Sequence, residues 1–539
     1  MATWARTAYF EVRMTRKISL LLIAAIAFAT PSLVRAAAPT PHIVVVVFDG
    51  LRPDTVNPTD TPALYALAQR GTFFAHHHPV YPSSTEVNGA ALSTGSYPQH
   101  DGLMGNMEYR PSIELLKPIN TENQPAVRLG DKLTGGLYLR MPTLAEILQS
   151  RGLRTVVAGT KPVALLLDRR DRDDSASSPL VYAGHSLPAT LSTTLSPAAD
   201  FPKKPANAQK SPNLIQDAWT TRVLTSRLWN PDLPAFTMLW LSEPDFAQHG
   251  SGPNSAVAKA ALRSSDDNLA LVLKTLADKN ALDSTDLFVV SDHGFSTISH
   301  GIFLPDILNA HGFHAAEEFK AAPQPNDIVV VNNGGSICLY VIGHDPDTTQ
   351  RLAAFLQTQP FAGVLFSQQN LPGSFPLSEA HINTPQPPDL VLALKWSPAL
   401  SPTGLPGLIY SEVAPPSPDH PAKIGNHASL SPYDMHNTLI AAGPDIRPHF
   451  TDSLPSGNID LAPTILSLLH VSPTTPMDGR ILSEALTNGT PSTDTPTTSR
   501  ATATITLPTG TWTQYLQTTT FGHSTYIDQG ASTFTPNDQ

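Results

Sequence analysis

Residues His42–Phe48 read His-Ile-Val-Val-Val-Val-Phe: five consecutive β-branched side chains closed by an aromatic one, then Asp49-Gly50. β-branched side chains fit a pleated surface, and a run without polar alternation reads as a strand buried on both faces, as in a parallel sheet. Further strands are expected at Arg154–Ala158, Ala235–Leu241 and Asp286–Val290. Between and after them lie helical patterns. Thr61–Gly71 has a glycine stop, Pro142–Gly152 a proline near its start, Ala256–Lys279 a long amphipathic repeat, and Asp460–Leu469 is a late helix. Strand and helix alternate, which predicts an α/β core: a central, mainly parallel sheet with helices on both sides. Ligands of such sheets sit beyond the carboxyl ends of the strands.

Two stretches break the alternation. Asn106–Leu139 reads as an insertion, and residues 296–423 as an inserted cap subdomain of α+β type, with strands at Ser336–Ile342 and near Val364–Phe366 and a helix at Thr348–Gln359. The catalytic core is then expected in residues 40–295 and 424–487. From residue 488 to 539 the composition turns to Thr, Ser and Pro, which reads as a linker and tail, with Gly510–Tyr526 able to form a short docked hairpin. At the other end Arg13, Arg16 and Lys17 precede the apolar run Ile18–Ala29 and Val34-Arg35-Ala36-Ala37. That pattern predicts a signal peptide over residues 1–36 and export to the periplasm or the extracellular space, the alternative being an uncleaved anchor. No later segment is long and apolar enough to cross a membrane.

The chain has 539 residues, 34 Lys+Arg against 45 Asp+Glu, and a net charge of −11. Residues 1–36 hold five basic groups and one acidic group, so without them the balance is 29 to 44, near −15. An acidic chain of this kind offers no nucleic-acid surface. The single cysteine, Cys338, excludes an intrachain disulfide and a thiolate zinc cluster, and its apolar setting reads as a buried strand.

Polar clusters follow the predicted strands: Asp49-Gly50, Ser83-Ser84-Thr85-Glu86-Val87-Asn88, Glu243-Pro244-Asp245 with His249, Ser291-Asp292-His293-Gly294, and Gly425-Asn426-His427. Singly, each reads as a turn, a cap or a surface pair. Together, three Asp and three His form the ligand set of a two-metal site, and carboxylate with imidazole suits Zn²⁺. Asp245 and His249, four apart, can chelate one ion, while Asp292 and His293 can reach around a second.

These motifs resemble the alkaline phosphatase superfamily, in its type I phosphodiesterase/nucleotide pyrophosphatase branch, over about residues 41–485 in motif order, including Asp460–Arg480. The resemblance implies two zinc ions bridged by the substrate phosphate. Asp245, His249 and His427 would hold one ion. Asp49, Asp292 and His293 would hold the other, joined by the hydroxyl of Thr85. Thr85 is then the implied nucleophile of a phospho-threonine intermediate, and Asn88 the implied donor to a phosphoryl oxygen. Physical chemistry agrees: a zinc-coordinated hydroxyl is activated at neutral pH, and a helix opening at Thr85 presents its N–H groups to an anion.

Two departures bear on the substrate. The branch usually reads Thr-Phe-Pro-Asn where this chain has Thr85-Glu86-Val87-Asn88, and Ala428 follows His427 in place of glycine. Thr-x-Val-Asn is closer to the phosphonoacetate hydrolase relatives. The expected function is an exported metal-dependent hydrolase of phosphodiester or nucleotide pyrophosphate bonds. The alternatives are a C–P bond hydrolase on the same metals and a non-catalytic cell-envelope binding protein that keeps the scaffold. The partner is a small phosphoester, nucleotide or phosphonate. Asn106 resembles a family position lining the pocket, and Tyr109, Lys161 and Trp240 are weaker candidates for substrate contact. Glu86 lies beside the pocket or in solvent. His76, His77 and His78 are expected to be exposed, His300 and His436 structural, and Asp434 an orienter near a metal histidine.

Overall fold

In the computed structural model, His42–Phe48 lies near the middle of a nine-stranded sheet, with parallel neighbours on both sides: Phe236–Leu241, where Val45 faces Met238, and Thr285–Val290, where Val45 faces Phe288. The structure describes residues 41–171, 178–191, 195, 200–203, 213–414, 422–490 and 492–537. The signal-peptide reading of residues 1–36 lies outside them. Across the sheet the order is Phe450–Gly457, Thr72–His78, Leu439–Ala442, Thr285–Val290, His42–Phe48, Phe236–Leu241, Thr155–Gly159, Leu180–Tyr182 and His185–Leu187. All neighbours are parallel except Leu439–Ala442 against both its partners and the final hairpin.

The period of two along each strand divides the core into two layers. Ile43, Val45 and Val47 pack with Val87 and Ala91 of the helix Thr85–Thr94, with Leu144 and Leu148, and with Leu461 and Ile465. Val44, Val46 and Phe48 pack on the other face with Leu64 and Leu67 of the helix Pro62–Arg70 and with Leu269, Val272 and Leu276 of Ala256–Asp278. Each fully buried aliphatic or aromatic side chain of this kind is worth about 1.5–3 kcal/mol relative to exposure.

The expected helices form where their end signals lie. Thr143 and Glu146 make a reciprocal capping box, and the Ser255 side chain accepts the amide of Ala258. The predicted strands and helices of the core and cap are all found, within two or three residues at their ends.

Residues 296–423 build two further sheets. Ser296–Ile302 lies between Pro406–Glu412 and Gly425–Asn426, with Trp396–Leu400 outside. A six-stranded sheet runs Ala315–Ala316, Ile328–Asn332, Ser336–Val341, Leu390–Leu394, Ala362–Ser367, Phe375–Pro376, packed against the helix Pro346–Leu356. Cys338 is buried in Ser336–Val341, as expected.

The C-terminal segment differs from the expected linker and tail. Thr497–Leu507, Gly510–Phe521 and Ser524–Pro536 form a three-stranded antiparallel sheet. A docked hairpin over Gly510–Tyr526 accounts for only part of this sheet. Trp512, Leu516, Phe521, Tyr526 and Ile527 are buried, some against the six-stranded sheet and some against the layers of the nine-stranded sheet. The Tyr526 hydroxyl donates to Asp460 (2.8 Å), and the Gln514 amide bonds both backbone groups of Leu365 (2.8 and 3.0 Å). Threonine looks like linker composition, but it is β-branched and fits a half-buried strand, and burial alternates from Gly510 to Leu516. Among the described residues, no helix is long and apolar enough to cross a membrane.

Candidate metal centre

Three adjacent parallel strands end together and deliver the acidic residues to one edge of the sheet. His42–Phe48 ends in Asp49, Thr285–Val290 runs into Ser291-Asp292-His293, and Phe236–Leu241 leads through Ser242-Glu243-Pro244 to the helix Asp245–Ser251. The strands approach closely there. Gly50 has φ +71°, and a Cβ on it would lie 3.0 Å from the Asp245 Cβ, so glycine serves both the turn and the contact. His249 sits one helical turn beyond Asp245, and His427 follows the short strand Gly425–Asn426.

The six expected ligands converge. Asp245 Oδ1 lies 3.3 Å from His249 Nε2, 3.6 Å from His427 Nε2 and 4.0 Å from His293 Nε2. His293 Nε2 is 3.2 Å from Asp292 Oδ2 and 3.7 Å from Asp49 Oδ1. The rings of His293 and His427 stack with centroids 3.7 Å apart. Two groups of three therefore offer ligand atoms within 4.8 Å of one another: Asp245, His249 and His427, and Asp49, Asp245 and His293. The first is the triad implied by the resemblance. In the second, Asp245 adds an oxygen, and Asp292 adjoins through His293.

The hydrogen bonding fixes what this cluster can accept. His249 Nδ1 bonds the Gly425 carbonyl (3.0 Å), His293 Nδ1 that of Gly294 (2.8 Å) and His427 Nδ1 that of Ser83 (2.9 Å). A carbonyl only accepts, so each Nδ1 carries the proton. Burial lowers the pKa of His249 and pulls that of His427 well below the ordinary range, which keeps both rings neutral. Their Nε2 lone pairs then face carboxylate oxygens, acceptor against acceptor, in a dry interior. Asp245 Oδ1 and Asp292 Oδ2 are buried with no hydrogen-bond donor among the described residues, and Asp49 Oδ1 meets the Lys161 ammonium (2.9 Å). Such an arrangement is costly unless a cation lies between the atoms, and nitrogen with carboxylate oxygen is the donor set of a zinc-type ion. The residues fit divalent metal.

Thr85 opens the helix Thr85–Thr94, is 3% exposed, and holds its Oγ1 3.3 Å from His293 Nε2. Asn88 is placed otherwise than expected. Its Oδ1 accepts from Val80 N (2.8 Å) and Asn458 Nδ2 (2.9 Å), and its Nδ2 donates to the carbonyls of Val80 (3.2 Å) and Ser84 (3.1 Å). Every polar group of Asn88 is spent on the scaffold, which leaves no donor for a phosphoryl oxygen. The i,i+3 spacing does turn Asn88 inward, but onto the chain leading into the helix.

Asn106 lines the main cavity instead. Its Oδ1 accepts from the Glu86 amide (3.1 Å). Asn458, which sequence reasoning missed, donates to the Asp292 carbonyl (2.7 Å) and accepts from His77 Nε2 (2.9 Å). Its only signal was its position just before the helix Leu461–Leu468.

Of the weaker candidates, Lys161 is drawn into the centre. Its ammonium lies 2.6 Å from Asp245 Oδ2 and 2.9 Å from Asp49 Oδ1. Burial opposes its charge, but Asp245, Asp49 and Asp292 outweigh burial and hold its pKa well above the lysine range. Trp240 is fully buried and donates its indole N–H to Asp49 Oδ2 (2.7 Å), beneath the site. Tyr109 lines a separate cavity and bonds the Leu115 carbonyl.

Glu86 is 4% exposed, so it does not lie in solvent. Burial and Glu122 push its carboxyl well above the usual range. Of the three histidines expected to be exposed, only His76 is. His77 and His78 are buried because the strand Thr72–His78 continues through them against Ser456 and Gly457, and burial lowers His77 to about 3. His300 stacks on Tyr410, and His436 bonds the Ala75 carbonyl. Asp434 holds Ser296 (2.5 Å) and Ser429 (2.6 Å), clipping together the loops that carry His293 and His427.

A cavity of about 580 Å³ opens over His249 and His427, walled by Asn106, Asn332, Lys423 and Asn426 among others.

The type I phosphodiesterase/nucleotide pyrophosphatase family model matches residues 43–399, and the chain belongs to that family. The mouse (Mus musculus) ectonucleotide pyrophosphatase/phosphodiesterase family member 3 is 23% identical over 264 residues, 48% of this chain and 25% of that protein. The human (Homo sapiens) family member 7 is 24% identical over 273 residues, 50% of this chain and 51% of that one. The chain thus spans a quarter to half the length of these curated relatives. Among solved structures, murine ectonucleotide pyrophosphatase/phosphodiesterase 5 superposes with a TM-score of 0.59 at 18% identity, covering 83% of this chain and all of that one. The fold is accordingly the alkaline phosphatase-like α/β fold.

Proposed function

We propose that this chain is an exported phosphohydrolase that cleaves phosphodiester or nucleotide pyrophosphate bonds on a two-zinc site through a phosphoryl ester of Thr85. The observation that carries the reading is the convergence of three imidazole Nε2 atoms on the buried carboxylate oxygens of Asp49, Asp245 and Asp292, with the Thr85 hydroxyl beside His293. Family membership and the relatives' printed names support the phosphodiester class. The murine protein of similar fold is also known in complex with AMP.

When bound, the two ions would supply Lewis-acid activation of the hydroxyl and charge stabilisation on the reacting phosphoryl oxygens. Asp245, His249 and His427 would hold one, and Asp49, Asp292 and His293 the other, with Asp245 within reach of both. Thr85 Oγ1 forms the new bond to phosphorus as the bond to the leaving oxygen breaks. Water then cleaves the threonyl ester and restores Thr85. Asn106 takes the part expected of Asn88: its Oδ1 is spent on Glu86 N, and its amide N–H group serves a phosphoryl oxygen. A donor of this kind is worth about 2.7–4 kcal/mol in the transition state. Asp434 and Asn458 hold the loops of the ligands, and residues 296–423 act as a cap that walls the cavity.

The test is a rate panel on a phosphodiester, a phosphomonoester, a nucleotide pyrophosphate and phosphonoacetate, before and after chelation. The expected result is diester or pyrophosphate hydrolysis that chelation abolishes and zinc restores. Phosphate release from phosphonoacetate alone would establish the C–P reading instead. Metal-replete protein without turnover on any of the four would leave a binding protein.

A further inference from the structure

Three lysines border the metal centre and its cavity, Lys161, Lys423 and Lys117, and their charges are engaged differently. Lys161 is held by Asp49 and Asp245 at 2.9 and 2.6 Å, so its ammonium is already neutralised. Lys423 is half-buried in the cavity wall beside His249 and His427, and among the described residues no carboxylate lies within ion-pair distance of it. Burial pulls its pKa below the lysine range; Asp245 attracts it from farther off and Lys161 repels it. Lys117, on the same cavity, has Glu318 at 3.7 Å.

The segment that carries Lys423 is registered to a metal ligand. Ile424 N donates to the His249 carbonyl (2.8 Å), and the Gly425 carbonyl accepts from His249 Nδ1 (3.0 Å). The ammonium is therefore presented from a backbone fixed to the helix Asp245–Ser251. A partly buried cation with no counter-charge among the described residues gains free energy when a ligand supplies the opposite charge.

We propose that Lys423 is a subsite for a second anionic group, a phosphate or a carboxylate, carried by the substrate next to the phosphoryl group that enters the metal centre. The inference rests on the function proposed above and narrows it to substrates with two anionic groups.

Three phosphonates form a matched series of probes. Methylphosphonate has one anionic head, phosphonoacetate adds a carboxylate, and methylenediphosphonate adds a second phosphonate. Binding to the metal-loaded protein is measured by calorimetry, with metal content checked after each titration. The wild-type chain is expected to bind at least one of the two-headed probes about tenfold or more tighter than methylphosphonate, and the arm that gains identifies the second group. Lys423→Met should erase that gain, and Lys423→Arg should keep most of it. No gain in the wild-type chain, or a gain that survives Lys423→Met, would overturn the proposal. Turnover of bis(p-nitrophenyl) phosphate by the same samples reports on the hydrolase reading separately, because that substrate has no second anionic group.

Discussion

Thr85→Ala is expected to lower turnover of a nitrophenyl phosphodiester by about 10⁴- to 10⁶-fold, the range seen when the nucleophile of a covalent mechanism is removed. The rest of the protein should scarcely register the change. Thr85 is the first residue of its helix, its hydroxyl hydrogen-bonds His293 Nε2 (3.3 Å) alone among the described residues, and alanine is the better helix former. The thermal unfolding midpoint and the metal content should therefore stay near the wild-type values. The two readouts separate a chemical role from a structural one. A variant that loses activity together with its metal or its fold would show Thr85 to be a ligand or a packing residue before anything else. A variant that keeps wild-type rates would remove Thr85 from the chemistry.

Asp245→Asn should have the second large effect, and through a different route. Asp245 is the residue that both groups of potential ligands share; its Oδ1 faces three histidine Nε2 atoms, while Oδ2 holds Lys161. Loss of the carboxylate weakens both ion sites at once and leaves Lys161 with Asp49 alone. Breaking a buried ion pair from one side costs about 3–5 kcal/mol. Elemental analysis should find the wild-type chain with two divalent ions and the variant with fewer than one, with diester hydrolysis at background. Retention of both ions by Asp245→Asn would contradict the shared-ligand geometry.

The framework of this site was legible in the sequence because its parts obey local rules. Five β-branched residues announce the central strand, and acidic residues one, two and four positions past three such strands meet at one sheet edge. The four-residue spacing of Asp245 and His249 required only a single helical turn. What stayed hidden depends on contacts distant in sequence. Asn88 is turned to the scaffold by Val80 and by Asn458, 370 residues away, and nothing in its own neighbourhood announces that partner. Lys161 reads from the sequence only as a weaker candidate for substrate contact; the pairing of the strand Thr155–Gly159 with Phe236–Leu241 is what brings it to Asp245. His77 and His78 looked like a polar run, and the pairing of their strand with Ser456 and Gly457 buries them. The C-terminal sheet hides from composition: Thr502, Thr504 and Thr506 read as a linker by content and as a strand by period.

The stereochemical course at phosphorus tests the central claim most directly. A chiral phosphorothioate diester hydrolysed in heavy-oxygen water passes through two in-line displacements if Thr85 is esterified and then released by water. The account predicts net retention of configuration. Net inversion, the signature of a single attack by water, would contradict it.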